Sequence, residues 1–243
     1  MNSSRQQEQL IAGVLAGMGP AATVDFLAKL VAATEAASDQ DHIHLIIDHN
    51  PKVPNRHAAI AGLTPDISPE LTAMARRLEA AGADFLVMVC NTAHAYTEQI
   101  RASVSIPFVS IIDVVMDELR GLPVKHVGIM AAEGCLQAEL YQQALADAGL
   151  EAVLWSEDEL AHFMDIVYRI KAGDRGGDIG AGLSRLAADL VFRGAEVLLA
   201  ACTEVPLFLG ERDTAVPIIS STDLLVRRTI KLAKNRPTDE HTP

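Results

Sequence analysis

Short apolar runs alternate along the chain with longer stretches in which apolar positions recur at helical spacing. Residues 10–16 form the first run, which stops at Gly17-Met18-Gly19-Pro20, and residues 23–34 then show helical periodicity. A second run covers 43–47 and opens into a polar, proline-broken loop over 48–56. Residues 69–81 read as a helix, with Ser68 as N-cap and Pro69 in the first position, where a backbone N–H would have no partner anyway. A third run over 85–89 ends at Cys90. The pattern then restarts with a strand at 126–130, a helix at 136–148, a strand at 152–155 and a helix at 158–171. A glycine-rich loop at 173–182 leads into a helix ending at 192, a strand at 197–201 ending at Cys202, and a last helix at 222–234. Short strands separated by helices predict βαβ units and mostly parallel sheets. Strands apolar throughout suit a sheet covered on both faces.

The restart repeats residues as well as rhythm. Gly82-Ala83-Asp84 precedes five apolar residues and Cys90, and Gly194-Ala195-Glu196 precedes five apolar residues and Cys202. The opening strands agree too, Gly13-Val14-Leu15 against Gly128-Ile129-Met130, at nearly the same offset. A near-constant offset at two places predicts an internal duplication. The expected fold is α/β, with two pseudo-symmetric domains, each a parallel sheet flanked by helices. The expected first domain comprises residues 10–113 completed by 219–235, and the second comprises 114–218.

Composition narrows the partners. The net charge is −12, from 20 Lys and Arg against 32 Asp and Glu, and no basic cluster stands outside the short C-terminal tail. That argues against nucleic acid, while leaving room for an anionic small molecule in a locally positive pocket. No apolar stretch reaches the roughly 18 residues of a membrane span, and the polar stretch 1–9 has no signal-peptide pattern and reads as a frayed tail. Three widely spaced cysteines, Cys90, Cys135 and Cys202, do not make a disulfide framework. Reduced thiols in the cytoplasm are expected.

Two of those cysteines point to chemistry. Ligands of parallel α/β sheets bind beyond the carboxyl ends of the strands, where Cys90 and Cys202 fall. Asn91-Thr92 and Thr203-Glu204 follow them and can open helices, whose N–H groups and dipole lower a thiol pKa. If the halves are related by a pseudo-twofold axis, the two thiols flank one substrate atom. Inverting a carbon centre requires one group to remove a proton from one face and a second to deliver one to the other. Cys135 lacks this setting and reads as a small core residue.

With these residues in hand, the chain resembles the aspartate/glutamate racemase family, its aspartate racemase branch most closely, from about residue 11 to 234. The motifs that carry the resemblance are Gly17-Met18-Gly19-Pro20, Asp39-Gln40-Asp41-His42, the segment from Asn50 to Arg56, Cys90-Asn91-Thr92-Ala93-His94 and Cys202-Thr203-Glu204. The resemblance implies racemisation of an acidic amino acid, aspartate before glutamate, with neither pyridoxal phosphate nor metal. It implies a site between two domains, Cys90 and Cys202 as the acid/base pair, and a homodimer. Met18, Gly19, Asn50, Asn91, Thr92 and Thr203 would meet the substrate. Arg56 and Lys171 would hold its two carboxylates, or else be surface charges. Glu204 either orients and activates Cys202 or caps the helix that follows. One loop departs from the family: Ala131-Ala132-Glu133-Gly134-Cys135 stands where an Ala-Thr-x-Gly-Thr pattern is usual, so two hydroxyls are missing.

Other readings stay open. Hydantoin racemase, maleate isomerase and arylmalonate decarboxylase chemistry share such a scaffold, and a two-lobed cleft can also simply bind a small acid. The histidines at 42, 44, 49, 57 and 94 lack the companions of a metal motif and read as surface or hydrogen-bonded groups. His94 has a second reading, tuning Cys90 electrostatically.

Overall fold

Two parallel four-stranded sheets carry the fold, seen in a computed structural model that describes residues 9–234. All of the polar N-terminal stretch except Gln9, and residue 235 of the expected first domain, lie outside the described residues. The first sheet comprises β1 (Ala12–Ala16), β2 (Leu45–His49), β3 (Phe85–Met88) and β4 (Phe108–Val109), in the order β2-β1-β3-β4. The second comprises β5 (His126–Met130), β6 (Glu151–Val153), β7 (Val197–Ala200) and β8 (Ile218–Ser220), in the order β6-β5-β7-β8. Around them run α1 (Pro20–Ala33), α2 (Arg56–Ile60), α3 (Ser68–Ala80), α4 (Thr97–Arg101) and α5 (Ile111–Leu119). Then come α6 (Glu133–Gln137), α7 (Leu140–Asp147), α8 (Glu157–Lys171), α9 (Gly177–Phe192) and α10 (Ser221–Lys234). The fold is thus α/β in two similar halves, as the repeat predicted. The C-terminal α10 packs against α1 and α5, and Leu10 N–H donates to Ala233 O at 2.9 Å.

The repeated Gly-Ala-acid signature has a physical job in each half. Gly82 and Gly194 take the left-handed φ values of 98° and 99° that end α3 and α9. Ala83 N–H then reaches Leu78 O at 3.1 Å, and Ala195 N–H reaches Leu190 O at 3.1 Å. Asp84 Oδ2 accepts Ile11 N–H at 2.7 Å, and Glu196 Oε2 accepts His126 N–H at 2.9 Å, so each acid pins the start of the neighbouring central strand. Across the strands, Gly13 pairs with Leu86 and Gly128 with Leu198. A Cβ on Gly13 would lie 2.6 Å from Leu86 Cδ2 and 2.8 Å from Ala83 Cβ, and one on Gly128 would lie 2.8 Å from Leu198 Cδ2 and 2.9 Å from Ala195 Cβ. Both glycines let a helix settle directly on the central strand.

Several boundaries differ from the sequence reading. α1 begins at Pro20, and β2 lies two residues later than expected, leaving Ile43 buried in the core before the strand starts. Ser68 is the first residue of α3 rather than its N-cap, because Asp66 accepts the Ser68 N–H at 3.0 Å and its hydroxyl as well. The helix expected over 136–148 breaks at Glu139, whose φ is 52°, and Leu136 O there accepts Glu139 N–H at 3.0 Å and Gln142 Nε2 at 2.8 Å. The glycine-rich segment is not all loop: α9 starts at Gly177, and a Cβ on Gly182 would sit 2.8 Å from Ile166 Cδ1 of α8. Gly182 serves helix contact. β4, α5 and β8 were not anticipated. The two strands have two and three residues, too few for an alternation to register. No helix among the described residues is long and apolar enough to cross a membrane.

Gly13→Ala and Gly128→Ala should each lower unfolding free energy by about 1–3 kcal/mol through overpacking. Urea unfolding of the two variants checks this. Similar losses are expected, since the two glycines meet equivalent neighbours.

Candidate functional site

Each central sheet delivers a cysteine two residues past the end of its strand, Cys90 after β3 and Cys202 after β7. Both thiols line one small cavity between the halves, and each residue is 6% exposed. From the first half come Met18, Arg56, Asn91 and Thr92, and from the second Lys171, Thr203 and Glu204. Size does not select this site. A wider groove is lined by Lys29, Ile218 and Arg227, but no thiol lines it.

The expected helix starts behind the thiols are single 3₁₀ turns, Thr92–Tyr96 and Val205–Leu207. A dipole built from one turn is small. Burial, and then the Glu204 carboxylate, push the Cys202 thiol well above its usual value, outweighing Lys171 and a backbone N–H. The expected lowering by helix dipole therefore does not hold at Cys202. Glu204 also does not cap the turn it begins. Its Oε2 accepts the Cys202 Sγ–H at 3.1 Å and the Thr203 hydroxyl at 3.3 Å, while its Oε1 pairs with Lys171 Nζ. Burial disfavours the Lys171 ammonium, but Glu204 and then the thiols more than offset this, so its pKa rises.

Gly19 lies against that ion pair. A Cβ there would come 3.1 Å from Glu204 Oε1 and 3.4 Å from Lys171 Nζ, so a larger residue would crowd the pair by a few tenths of an ångström. Arg56 is half-buried and not fully satisfied. Its Nη1 donates to Val53 O at 3.2 Å and Pro54 O at 3.0 Å, while its buried Nε has no partner. An orphaned guanidinium N–H beside a cavity suits an anionic oxygen.

Asn91 anchors the cavity wall. Its Oδ1 accepts the Tyr141 hydroxyl at 2.5 Å, and its Nδ2 donates to Ser221 Oγ at 3.1 Å. Ser221 Oγ donates onward to Ala200 O at 2.8 Å. Asn50 does not line the cavity. Its Oδ1 accepts Lys52 N–H at 3.0 Å, and its backbone packs under the Met18-Gly19 turn, where a Cβ on Gly17 would meet Asn50 C at 2.6 Å. Of the two hydroxyls missing from the loop after β5, only the Ala132 position faces the cavity. Cys135 is fully buried in the core, where desolvation pushes its thiol up.

His94 holds the Cys90 backbone. Its Nε2 accepts Ile111 N–H at 3.0 Å, so Nδ1 carries the proton and donates to Cys90 O at 2.8 Å. Burial holds this neutral ring down at about 4. His57 was missed as a site residue, along with the apolar Ala132, Val167 and Ala201. It lines the cavity, accepts Gly134 N–H on Nδ1 at 3.2 Å, and is held at about 4 by burial first and by Arg56 and Lys171 next. The available signal was Asn55, whose side chain accepts His57 N–H at 2.9 Å and starts α2 directly beside Arg56. Among the described residues, no group of three or more His, Cys, Asp or Glu side chains is set to hold a metal ion.

Comparison with known proteins adds a family. The sequence profile of the Asp/Glu/Hydantoin racemases matches residues 15–229. The broad specificity amino-acid racemase RacX of Bacillus subtilis is 27% identical over 226 residues, spanning 90% of this chain and 96% of that protein. The structure of Picrophilus torridus aspartate racemase matches with a TM-score of 0.85 at 27% identity, covering 95% of this chain and 97% of that one. Glutamate racemase isoform RacE1 from Bacillus anthracis shares the fold, with a TM-score of 0.66 at 20% identity over 92% of this chain and 81% of that one.

The buried histidines make stability depend on pH. As pH falls below 6.5, unfolded His94 protonates while the folded residue waits until about 4, so stability is lost across that window. The loss from His94 should be on the order of 3 kcal/mol. Urea unfolding at neutral pH and near pH 4.5 should show His94→Gln losing less between the two than the wild type.

Proposed function

The chain belongs to the Asp/Glu/Hydantoin racemase family, and on that premise we propose that it racemises an acidic amino acid, aspartate first and glutamate next, by proton transfer between Cys90 and Cys202. One observation carries the reading: two thiols from equivalent strand ends of a duplicated fold line a single buried cavity.

The charge of the cavity favours an acidic substrate. Arg56 and Lys171 bring two positive charges, Glu204 one negative, and His57, held at about 4, none at neutral pH. The resulting single positive charge complements an amino acid with two carboxylates and one ammonium group. Arg56 Nε supplies a free donor for one carboxylate, and Lys171 is the second cation. In a buried site these contacts also stabilise the enolate-like charge that develops when Cα loses its proton. One cysteine, as thiolate, takes the Cα proton, and the other, as thiol, gives its proton to the opposite face. The thiols thereby exchange protonation states and titrate as a coupled unit. The scheme calls on no cofactor.

A broader amino-acid specificity is the second reading. It is favoured by Ala132 in place of the usual threonine, by the apolar wall that Ala132 forms with Met18 and Val167, and by the broad specificity of the Bacillus subtilis relative.

Loss of the Cα–H signal with appearance of the D-enantiomer, followed by NMR in D₂O with L-aspartate and L-glutamate, tests the reaction. Cys90→Ala and Cys202→Ala should each lower turnover by about 10²–10⁴-fold. Near-normal turnover in either variant would sink the two-base scheme, and no exchange at all would favour a binding protein.

A further inference from the structure

Lys171 carries one positive charge for two claims. An acidic substrate needs it as the second cation, yet its Nζ already pairs with Glu204 Oε1. The other oxygen of that carboxylate, Oε2, accepts the Cys202 Sγ–H at 3.1 Å. Glu204 is only 3% exposed, so little water can replace a departing counter-charge. A buried carboxylate that loses its cation gains proton affinity, and the nearest proton is on Cys202.

We propose that an acidic substrate switches Cys202 on: its distal carboxylate draws Lys171 away from Glu204, and Glu204 Oε2 takes the Cys202 proton. The Sγ–H bond breaks, an O–H bond forms on Glu204, and the negative charge moves from carboxylate to sulfur, with no other reactant consumed. This inference rests on the reading above that the site accepts a dicarboxylic amino acid. The other titratable groups facing the cavity do not supply the same trigger. Arg56 is a permanent cation, His57 is neutral, and Cys90 is the opposing thiol. Thr203, donating to Glu204 Oε2 at 3.3 Å, supports the resting carboxylate. Without substrate, Cys202 stays a thiol held by Glu204. A monocarboxylic amino acid leaves Lys171 where it is, so it is discriminated against in kcat as well as in binding.

The test uses Cys90→Ser protein, which binds substrate without completing the two-base reaction. Thiolate absorbance in the ultraviolet is followed while L-aspartate is titrated to saturation, with binding measured by calorimetry. About one thiolate per bound aspartate is expected at neutral pH, none with L-alanine, and none when Glu204→Gln is added. Aspartate binding without a thiolate signal, or an equal signal with L-alanine, overturns the switch while leaving the racemase reading intact. Absence of aspartate binding overturns both. Should the variant fail to fold, wild-type protein with succinate, a dicarboxylate that has no stereocentre, carries the same expectation. A flat absorbance at saturating succinate is equally fatal to the switch.

Discussion

The chemistry depends on a seam. Two sheets must meet so that the carboxyl ends of β3 and β7 open onto one small cavity. A shared apolar cluster makes that junction, drawing Val87 and Val89 from the first half, Ile129 and Leu199 from the second, and Val115 of α5 and Leu225 of α10 between them. Apolar burial is strong but non-directional, so it can hold the halves together without setting their register. Register comes from the polar thread through the seam. Tyr141 donates to Asn91, Asn91 to Ser221, and Ser221 to the Ala200 carbonyl. A buried network of this kind is stable only when its members find their partners. It ties the residue after Cys90 to the strand that delivers Cys202.

Burial then sets the electrostatics. In a chain of net charge −12, the cavity collects two cations and one anion. Exposed cations would be screened within a Debye length, whereas buried ones keep their influence on a bound carboxylate. The same desolvation works against the Cys202 thiol, which is pushed up rather than down. Cys202 is therefore held protonated at rest. Among the described residues, no long helix points its N-terminus at either sulfur, whereas the Glu204 carboxylate lies within hydrogen-bond distance of Cys202.

What the sequence made legible follows from what each feature encodes. The duplication was visible because Gly82-Ala83-Asp84 and Gly194-Ala195-Glu196 combine a left-handed helix end, a close contact and a strand anchor. Few other residues can do those jobs. The cysteines were visible because they end that unit. Arg56 and Lys171 were read from the family resemblance, and the structure brings both to the cavity. Asn50 was misplaced because neighbourhood in a motif says nothing about which way an amide points, and this one is engaged by Lys52 N–H. His57 was lost among the other histidines, since burial between the halves leaves no mark on local spacing. Gly182 of α9 reads as loop in the sequence because helix contact and turn formation both select the same residue.

The halves match in backbone and differ at the thiols. Cys90 is followed by an amide engaged in structure and by a histidine that grips its own carbonyl, whereas Cys202 is followed by a hydroxyl and a carboxylate. A racemase gains nothing in equilibrium from such asymmetry. Enantiomers have equal free energies in water, so kcat/KM must be the same in both directions whatever surrounds each thiol. The difference between the two sides can act only on how kcat and KM divide for each enantiomer and on which sulfur holds its proton at rest. Duplication supplies two equivalent strand ends. In the proposed reaction, the residues around each cysteine decide which of them starts charged, and Lys171 and Glu204, both contributed by the second half, are the groups positioned to make that decision.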